Sequence, residues 1–259
     1  MKRKEKARVC GVNELAPGIC SLWLESSMAA EAGPGQFVGV YPRDGARILM
    51  RPISICDVNT QRTQLRLVFR AAGNGTKELA SLRVGEEVDL LGVLGNGYDV
   101  EAMQGKKLLL LGGGIGIPPM LLLAKELSDA GIVCNTVLGY ADRNDFLRSE
   151  FDNVCRTYVA TMDGSLGTKG TVIDALNENM LMADICCACG PMPMLKAVKE
   201  FAADCGMKAF LSLEERMACG VGACLGCVTK TAHKDPHTHV NNTRICVEGP
   251  VFEASEVLL

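Results

Sequence analysis

Apolar and polar positions change rhythm twice along the chain. Up to residue 93, short β-rich runs at 7–12, 19–25, 36–41, 53–57, 64–71 and 87–93 are separated by Gly, Pro and Asp. Six such strands at this spacing predict a small antiparallel barrel. One helical stretch, 76–82, interrupts them directly after Gly73-Asn74-Gly75. From Lys106 the pattern becomes buried strands (108–111, 133–140, 158–161, 184–189) alternating with helices (119–130, 171–176, 191–205). That alternation predicts a doubly wound parallel sheet. Gly and polar residues at 95–105 mark the linker, and beyond residue 211 cysteines replace any regular period. The chain thus reads as multidomain, β followed by α/β: a barrel at 1–98, an α/β domain at 99–211 and a small C-terminal domain at 212–259.

The C-terminal segment carries the strongest chemical signal. Cys219, Cys224 and Cys227 are spaced C-x4-C-x2-C, and Cys246 follows after 18 intervening residues. This is the plant-type spacing for a [2Fe–2S] cluster held by four thiolates. Gly220, Gly222 and Gly226 suit a loop that turns tightly and aims backbone N–H groups at sulfur. Structural zinc is the competing metal, but it usually takes two short-spaced pairs. Buried free cysteine explains scattered thiols and accounts poorly for three in nine residues.

Composition narrows the remaining choices. Hydrophobic content of 48%, 22% charged residues and a net charge of −3 give no general attraction to nucleic acid or anionic lipid. Thirteen cysteines, an odd number without regular pairing, fit a reducing cytoplasm better than a disulfide framework. The basic start, Lys2-Arg3-Lys4, is followed by no apolar run of the kind a signal peptide needs. The uncharged stretch 108–124 is broken by glycines and by Pro118-Pro119, so it predicts a buried strand, turn and helix rather than a membrane span. His233, His237 and His239 fall between the third and fourth cysteines and read as a solvated loop.

Three further motifs are weak singly. Arg51-Pro52-Ile53-Ser54 offers a guanidinium fork that matches phosphate, stiffened by proline, though an exposed Arg and a turn proline read the same way. Gly75 and Thr76 open a helix, where free N–H groups and the dipole favour an anion. Gly112-Gly113-Gly114-Ile115-Gly116-Ile117-Pro118-Pro119 is not the G-x-G-x-x-G fingerprint, and a glycine turn between strand and helix is common for steric reasons alone.

Together these residues resemble the ferredoxin reductase family. The resemblance implies a barrel that binds FAD through Arg51, Pro52, Ile53, Ser54, Val68, Phe69, Arg70, Gly75 and Thr76. It implies a nicotinamide dinucleotide on Gly112, Gly113, Gly114, Gly116 and Pro118, and on the C-G-P motif Cys189-Gly190-Pro191. Ser54 and Cys189 are then expected near the flavin and the nicotinamide, and no side chain is required as a conventional acid or base. The dinucleotide's phosphorylation state turns on Tyr140-Ala141-Asp142-Arg143, where one Arg beside an acid favours NAD over NADP. Asp163-Gly164-Ser165 reads either as a ribose contact or as a plain Asx turn.

Three such cofactors in one chain have a physical logic. Nicotinamide exchanges electrons in pairs and a [2Fe–2S] cluster singly, so a flavin must convert between them. The whole sequence resembles the electron-transfer subunits of NAD-dependent (type B) dihydroorotate dehydrogenases. Arg51–Ser54, the Gly112 turn, Cys189-Gly190-Pro191 and the segments 214–227 and 246–252 carry the likeness. Glu248 stands where that family is expected to have Asp. The resemblance implies an FMN-bearing catalytic partner in a two-plus-two heterotetramer that oxidises dihydroorotate to orotate for pyrimidine synthesis. Electrons would pass from FMN through the cluster and FAD to NAD+. Related flavin–cluster subunits of sulfide dehydrogenases, hydrogenases and ferredoxin:NADP reductases share these motifs, and a non-redox zinc and nucleotide-binding module is the more distant alternative.

Overall fold

The protein is described by a computed structural model covering residues 2–234 and 239–259. Its N-terminal part is a closed barrel of β1 (Arg3–Ala16), β2 (Ile19–Glu25), β3 (Phe37–Tyr41), β4 (Arg51–Val58), β5 (Gln64–Arg70) and β6 (Glu87–Leu94). Every pairing is antiparallel, in the order β1-β2-β5-β4-β3-β6. Alternating burial along β6 turns Val88, Leu90, Gly92 and Leu94 inward, the period-two signature of a sheet with one packed face. Strand β1 extends beyond the expected 7–12 because bulges between Val9 and Gly11 and between Glu14 and Ala16 let one strand pair with both β2 and β6. The single barrel helix, α1 (Asn74–Ala80), starts from Gly73.

The cysteine-rich tail contains a two-stranded ribbon, β13 (Val228–Lys230) with β14 (Asn242–Arg244), and ends in β15 (Val251–Glu253). This last strand joins the second large sheet, composed of β7 (Leu108–Gly113), β8 (Cys134–Tyr140), β9 (Arg156–Thr161), β10 (Thr168–Lys169), β11 (Ile185–Cys189) and β12 (Lys208–Ser212). The order is β10-β9-β8-β7-β11-β12-β15, parallel throughout except for the antiparallel edge strand β15. Helices α2 (Ile117–Asp129) and α3 (Arg148–Asp152) share a core with one face, around Leu108, Leu110 and Phe151. Helices α4 (Val172–Glu178) and α5 (Met192–Asp204) cover the other, around Leu109, Leu111 and Val137. Burial on both faces explains why β11 reads Ile-Cys-Cys-Ala-Cys without a polar break.

Local chemistry sets the helix starts. Pro118 and Pro119 occupy the first turn of α2, where no intrahelical N–H is needed. Thr171 caps α4, and Asp174 returns bonds to its backbone and hydroxyl at 2.6 and 2.7 Å. Helix α2 is apolar nearly all round because it lies between barrel and sheet, with Leu122 in the barrel core and Leu121 in the sheet core. Charge pairs close the same junction: Lys125 to Asp57 at 2.5 Å, and Arg66, which also meets the Ser21 hydroxyl, to both Glu150 oxygens at 2.7 and 2.8 Å. Among the described residues no helix is long and apolar enough to cross a membrane.

Candidate functional site

A cavity of about 270 Å³ opens where the three parts of the chain meet. Arg51, Pro52, Ile53 and Ser54 of β4, Val68, Phe69 and Arg70 of β5, and Thr76 of α1 line it, so eight of the nine barrel residues singled out from sequence converge. Gly75 acts one step behind. A Cβ there would stand 2.7 Å from Cζ and Nη2 of Arg51, so its missing side chain is the space the guanidinium occupies. The Arg51 head, which donates to the Leu49 carbonyl at 2.7 Å, therefore packs against the first turn of α1, and Arg51 and Thr76 line the same cavity. An apolar cleft with an arginine fork at one end matches a flavin dinucleotide in the chemistry of its donors.

Two more walls come from outside the barrel. Ile115 and Pro119 reach the cavity from the turn after β7, while Ser212, Leu213, Glu214, Glu215, Met217 and Pro250 reach it from the tail. None of these was singled out as flavin-lining, because nothing local in the sequence marks a wall made by tertiary closure. Glu214, two residues beyond the end of β12, lines the cavity while staying open to solvent, and desolvation by the protein around it moves its carboxyl above the usual range. Burial first, and then the Glu214 charge, push the Cys189 thiol far up, which keeps it neutral beside the cavity.

The two turns expected to hold the nicotinamide dinucleotide lie side by side. Gly112 of β7 is in register with Cys189 of β11, and these strands diverge in connection: the chain runs outward from β7 to β8, β9 and β10, then returns to β11 on the other side. This is a topological switch point, where α/β sheets bind ligands at the carboxyl ends of their strands. The turns pack so closely that a Cβ on Gly116 would sit 2.5 Å from the Cys189 carbonyl carbon and the Gly190 nitrogen. Gly113 likewise approaches Pro191, and Gly114 has φ of +53°. Pro118 lies in the first turn of α2, one residue from the cavity-lining Pro119. Asp163 is an Asx turn: its Oδ1 accepts from the Ser165 N–H at 2.9 Å and hydroxyl at 2.6 Å. Asp142 is bonded similarly, to the Asn144 backbone and side chain at 2.9 and 2.7 Å.

The four tail cysteines meet two by two. The Cys224 N–H points at Cys219 Sγ from 3.4 Å, and the Gly226 N–H at Cys224 Sγ from 3.4 Å. Burial raises the Cys219 thiol, but the N–H groups of Val221, Cys224 and Ala223 and the Cys224 thiol outweigh it and bring it down to about 6. Cys246 is pushed up to about 12 by burial first and then by Cys227, against which it lies. Cys227 and Cys246 are buried, whereas Cys224 is exposed. Among the described residues no three His, Cys, Asp or Glu side chains converge as a ready-made site for one ion. Two thiol pairs with amide N–H groups turned toward sulfur match a two-iron cluster, which takes two protein ligands on each iron. The His237 expectation lies outside the described residues; Thr231 donates to the His233 carbonyl at 2.8 Å.

Three larger hollows, of about 310, 510 and 610 Å³, contain none of the candidate FAD, NAD or cluster residues. Size alone therefore does not choose the site; convergence of chemistry does.

A family model for the iron-sulfur cluster binding domain of dihydroorotate dehydrogenase B matches residues 214–258. The dihydroorotate dehydrogenase B (NAD(+)) electron transfer subunit of Geobacillus sp. (strain WCH70) is 41% identical over 263 residues, covering all of both chains. The chain belongs to this family of electron transfer subunits. The corresponding subunit of Lysinibacillus sphaericus (strain C3-41) is 40% identical, again across the full length of both chains. Among solved structures, a chain of an NADH-dependent reduced ferredoxin-NADP oxidoreductase, studied for flavin-based electron bifurcation, superposes with a TM-score of 0.86 at 29% identity. That match covers 97% of this chain and 89% of the other. The closed six-stranded barrel, the parallel sheet and the C-terminal iron-sulfur cluster binding domain are the fold class expected from sequence, and the solved reductase superposes on 97% of the chain.

Proposed function

We propose that this chain relays electrons between NAD+ and an FMN-bearing dihydroorotate dehydrogenase subunit in the cytoplasm, within a two-plus-two heterotetramer serving pyrimidine synthesis. FAD occupies the cavity of the barrel unit (1–98), NAD binds the switch point of the α/β unit (99–211), and Cys219, Cys224, Cys227 and Cys246 of the tail unit (212–259) hold a [2Fe–2S] cluster. Bound FAD supplies the exchange between paired and single electrons that nicotinamide and cluster cannot make directly.

The observation that carries this reading is the shared wall. One cavity is lined by Arg51–Ser54 from the barrel, by Ile115 and Pro119 beside the glycine turn, and by Glu214, Met217 and Pro250 flanking the cysteines. Arg51 and Thr76 fix the phosphate end, Phe69 and Ile53 exclude water, and neutral Cys189 lies next to the crossing of the two turns. The partner docks over exposed Cys224, beside Val221 (43% exposed) and Leu225 (60% exposed). Ile48 and Leu49 extend this apolar face, because the next residue, Met50, packs on Gly220 of the cysteine loop.

Co-expression with the FMN-binding dihydroorotate dehydrogenase subunit of the same genome tests the reading. The expected result is a stable complex that reduces NAD+ with dihydroorotate, an activity lost when this chain is omitted. A fully loaded chain that neither binds that subunit nor supports NAD+ reduction would refute it. The likeness to a reduced ferredoxin-NADP oxidoreductase gives a second reading, and substituting reduced ferredoxin for dihydroorotate in the assay separates the two.

A further inference from the structure

One ion pair in the tail does more than decorate the surface. Arg244 closes β14, faces Val228 across the ribbon and stands two residues before Cys246. Its neighbour Ile245 donates to the Cys227 carbonyl at 3.0 Å, which fixes this corner against the third cysteine. The guanidinium reaches in two directions. Nε lies 3.2 Å from both oxygens of Glu248 and Nη2 meets the same carboxylate, while Nη1 donates to the Gly222 carbonyl at 3.2 Å. Glu248 also accepts from the Arg244 backbone N–H at 2.9 Å. Gly222, at φ +83°, leaves room for this bridge: a Cβ there would stand 3.1 Å from Nη1 and 2.6 Å from Val247 Cγ2. One side chain therefore ties the loop between Cys219 and Cys224 to the turn that follows Cys246.

On the reading that the four cysteines hold a [2Fe–2S] cluster, we infer that Arg244 and Glu248 are an opposed charge pair that sets the cluster's reduction potential, with Arg244 also positioning the ligand loop. Reduction adds negative charge to a centre that four thiolates already make anionic. The potential of such a centre responds to nearby charge, to hydrogen bonds at sulfur and to exposure. Arg244 brings a positive charge that persists at every working pH, and Glu248 offsets it. The Arg244 guanidinium is pushed up by Glu248 first and then by Cys246 and Cys227, in keeping with its place beside both. As an exposed i,i+4 pair alone it would contribute little to stability. The bridge to Gly222 and the nearness of two ligands are what give it a role in electron transfer.

The test is an anaerobic redox titration, followed by electron paramagnetic resonance, of the full chain loaded with iron, sulfide and FAD. Arg244→Gln is expected to lower the cluster midpoint, since Glu248 is left unopposed. Glu248→Gln is expected to raise it, and the double variant returns toward wild type. Both shifts shrink as salt is raised, because the pair is reached by solvent. Arg244→Lys keeps the midpoint near wild type but loses the fork to Gly222, so it releases iron to a chelator faster. Single variants that shift in the same direction, or not at all, overturn the inference. If Arg244→Gln retains no iron, Glu248→Gln decides alone, and a midpoint at or below wild type overturns it. A wild-type chain that binds no iron instead overturns the cluster assignment on which the inference rests.

Discussion

Gly75→Ala isolates the Arg51 end of the cavity proposed to hold FAD. The added methyl would stand 2.7 Å from Cζ and Nη2 of Arg51, well inside contact distance, so the guanidinium must leave its present position. The cost falls on the ligand and not on the fold. Arg51 is the free end of a flexible side chain, and Gly75 lies inside α1, where Ala is favoured over Gly by about 1 kcal/mol. Losing a charge-assisted contact to phosphate costs about 1.5–3 kcal/mol, which corresponds to roughly tenfold to hundredfold weaker FAD binding. Titration of the apoprotein with FAD, followed by quenching of flavin fluorescence, reads the affinity, and urea unfolding of the same apoprotein reads the fold. Arg51→Ala should lose a comparable amount, and the double variant should lose no more than Arg51→Ala alone, since both remove one interaction. Wild-type FAD affinity in Gly75→Ala, or a loss of stability in parallel with affinity, would refute the reasoning.

Other outcomes follow from the same geometry. Cys224→Ser is expected to abolish the visible and paramagnetic signals of the cluster while NADH still bleaches the flavin; retention of electron transfer to the partner at the wild-type rate would show the relay order to be wrong. Glu150→Gln strips Arg66, whose side chain is only 8% exposed, of its carboxylate, and should destabilise the apoprotein by about 2 kcal/mol in urea, between the values for exposed and buried pairs. The Glu214 carboxyl is raised by desolvation, so its charged form is disfavoured in the fold, by an amount that solvent at this exposed residue keeps small. That penalty is absent below the unfolded carboxylate pKa and complete above the raised one. Glu214→Gln should therefore leave the melting temperature of the apoprotein unchanged near about pH 4 and raise it near about pH 8; calorimetry at the two values checks the sign.

Much of the architecture was legible because two periods dominate the chain. Alternation along strands such as β6 and the unbroken apolar run of β11 report how many faces are buried, and the C-x4-C-x2-C spacing reports its chemistry through short-range geometry. What escaped has a common cause in length or in tertiary closure. Helix α3 spans five residues, too few to show a helical period, and β15 spans three, so its addition to the sheet edge leaves no alternating signature. Strand β12 follows α5 with only Cys205, Gly206 and Met207 between, and its exposed Lys208 start hides the buried Leu211 and Ser212. Glu214 reads from sequence as the first acid of a charged triplet, and only the folded chain places it in the cavity wall. Arg244 and Glu248 read as an ordinary pair four apart until Gly222 is brought against them. The cysteine loop itself was legible as a ligand set but not as two thiol pairs, since pairing depends on which side of the ribbon carries Cys246.

The most direct measurement is an anaerobic titration of the isolated, fully loaded chain with NADH. If FAD lies between the dinucleotide and the four cysteines, the flavin absorbance bleaches and the paramagnetic signal of a reduced [2Fe–2S] cluster grows with it, in the absence of any partner. A chain that contains iron and flavin yet bleaches without developing that signal, at potentials low enough to reduce the cluster, contradicts the account.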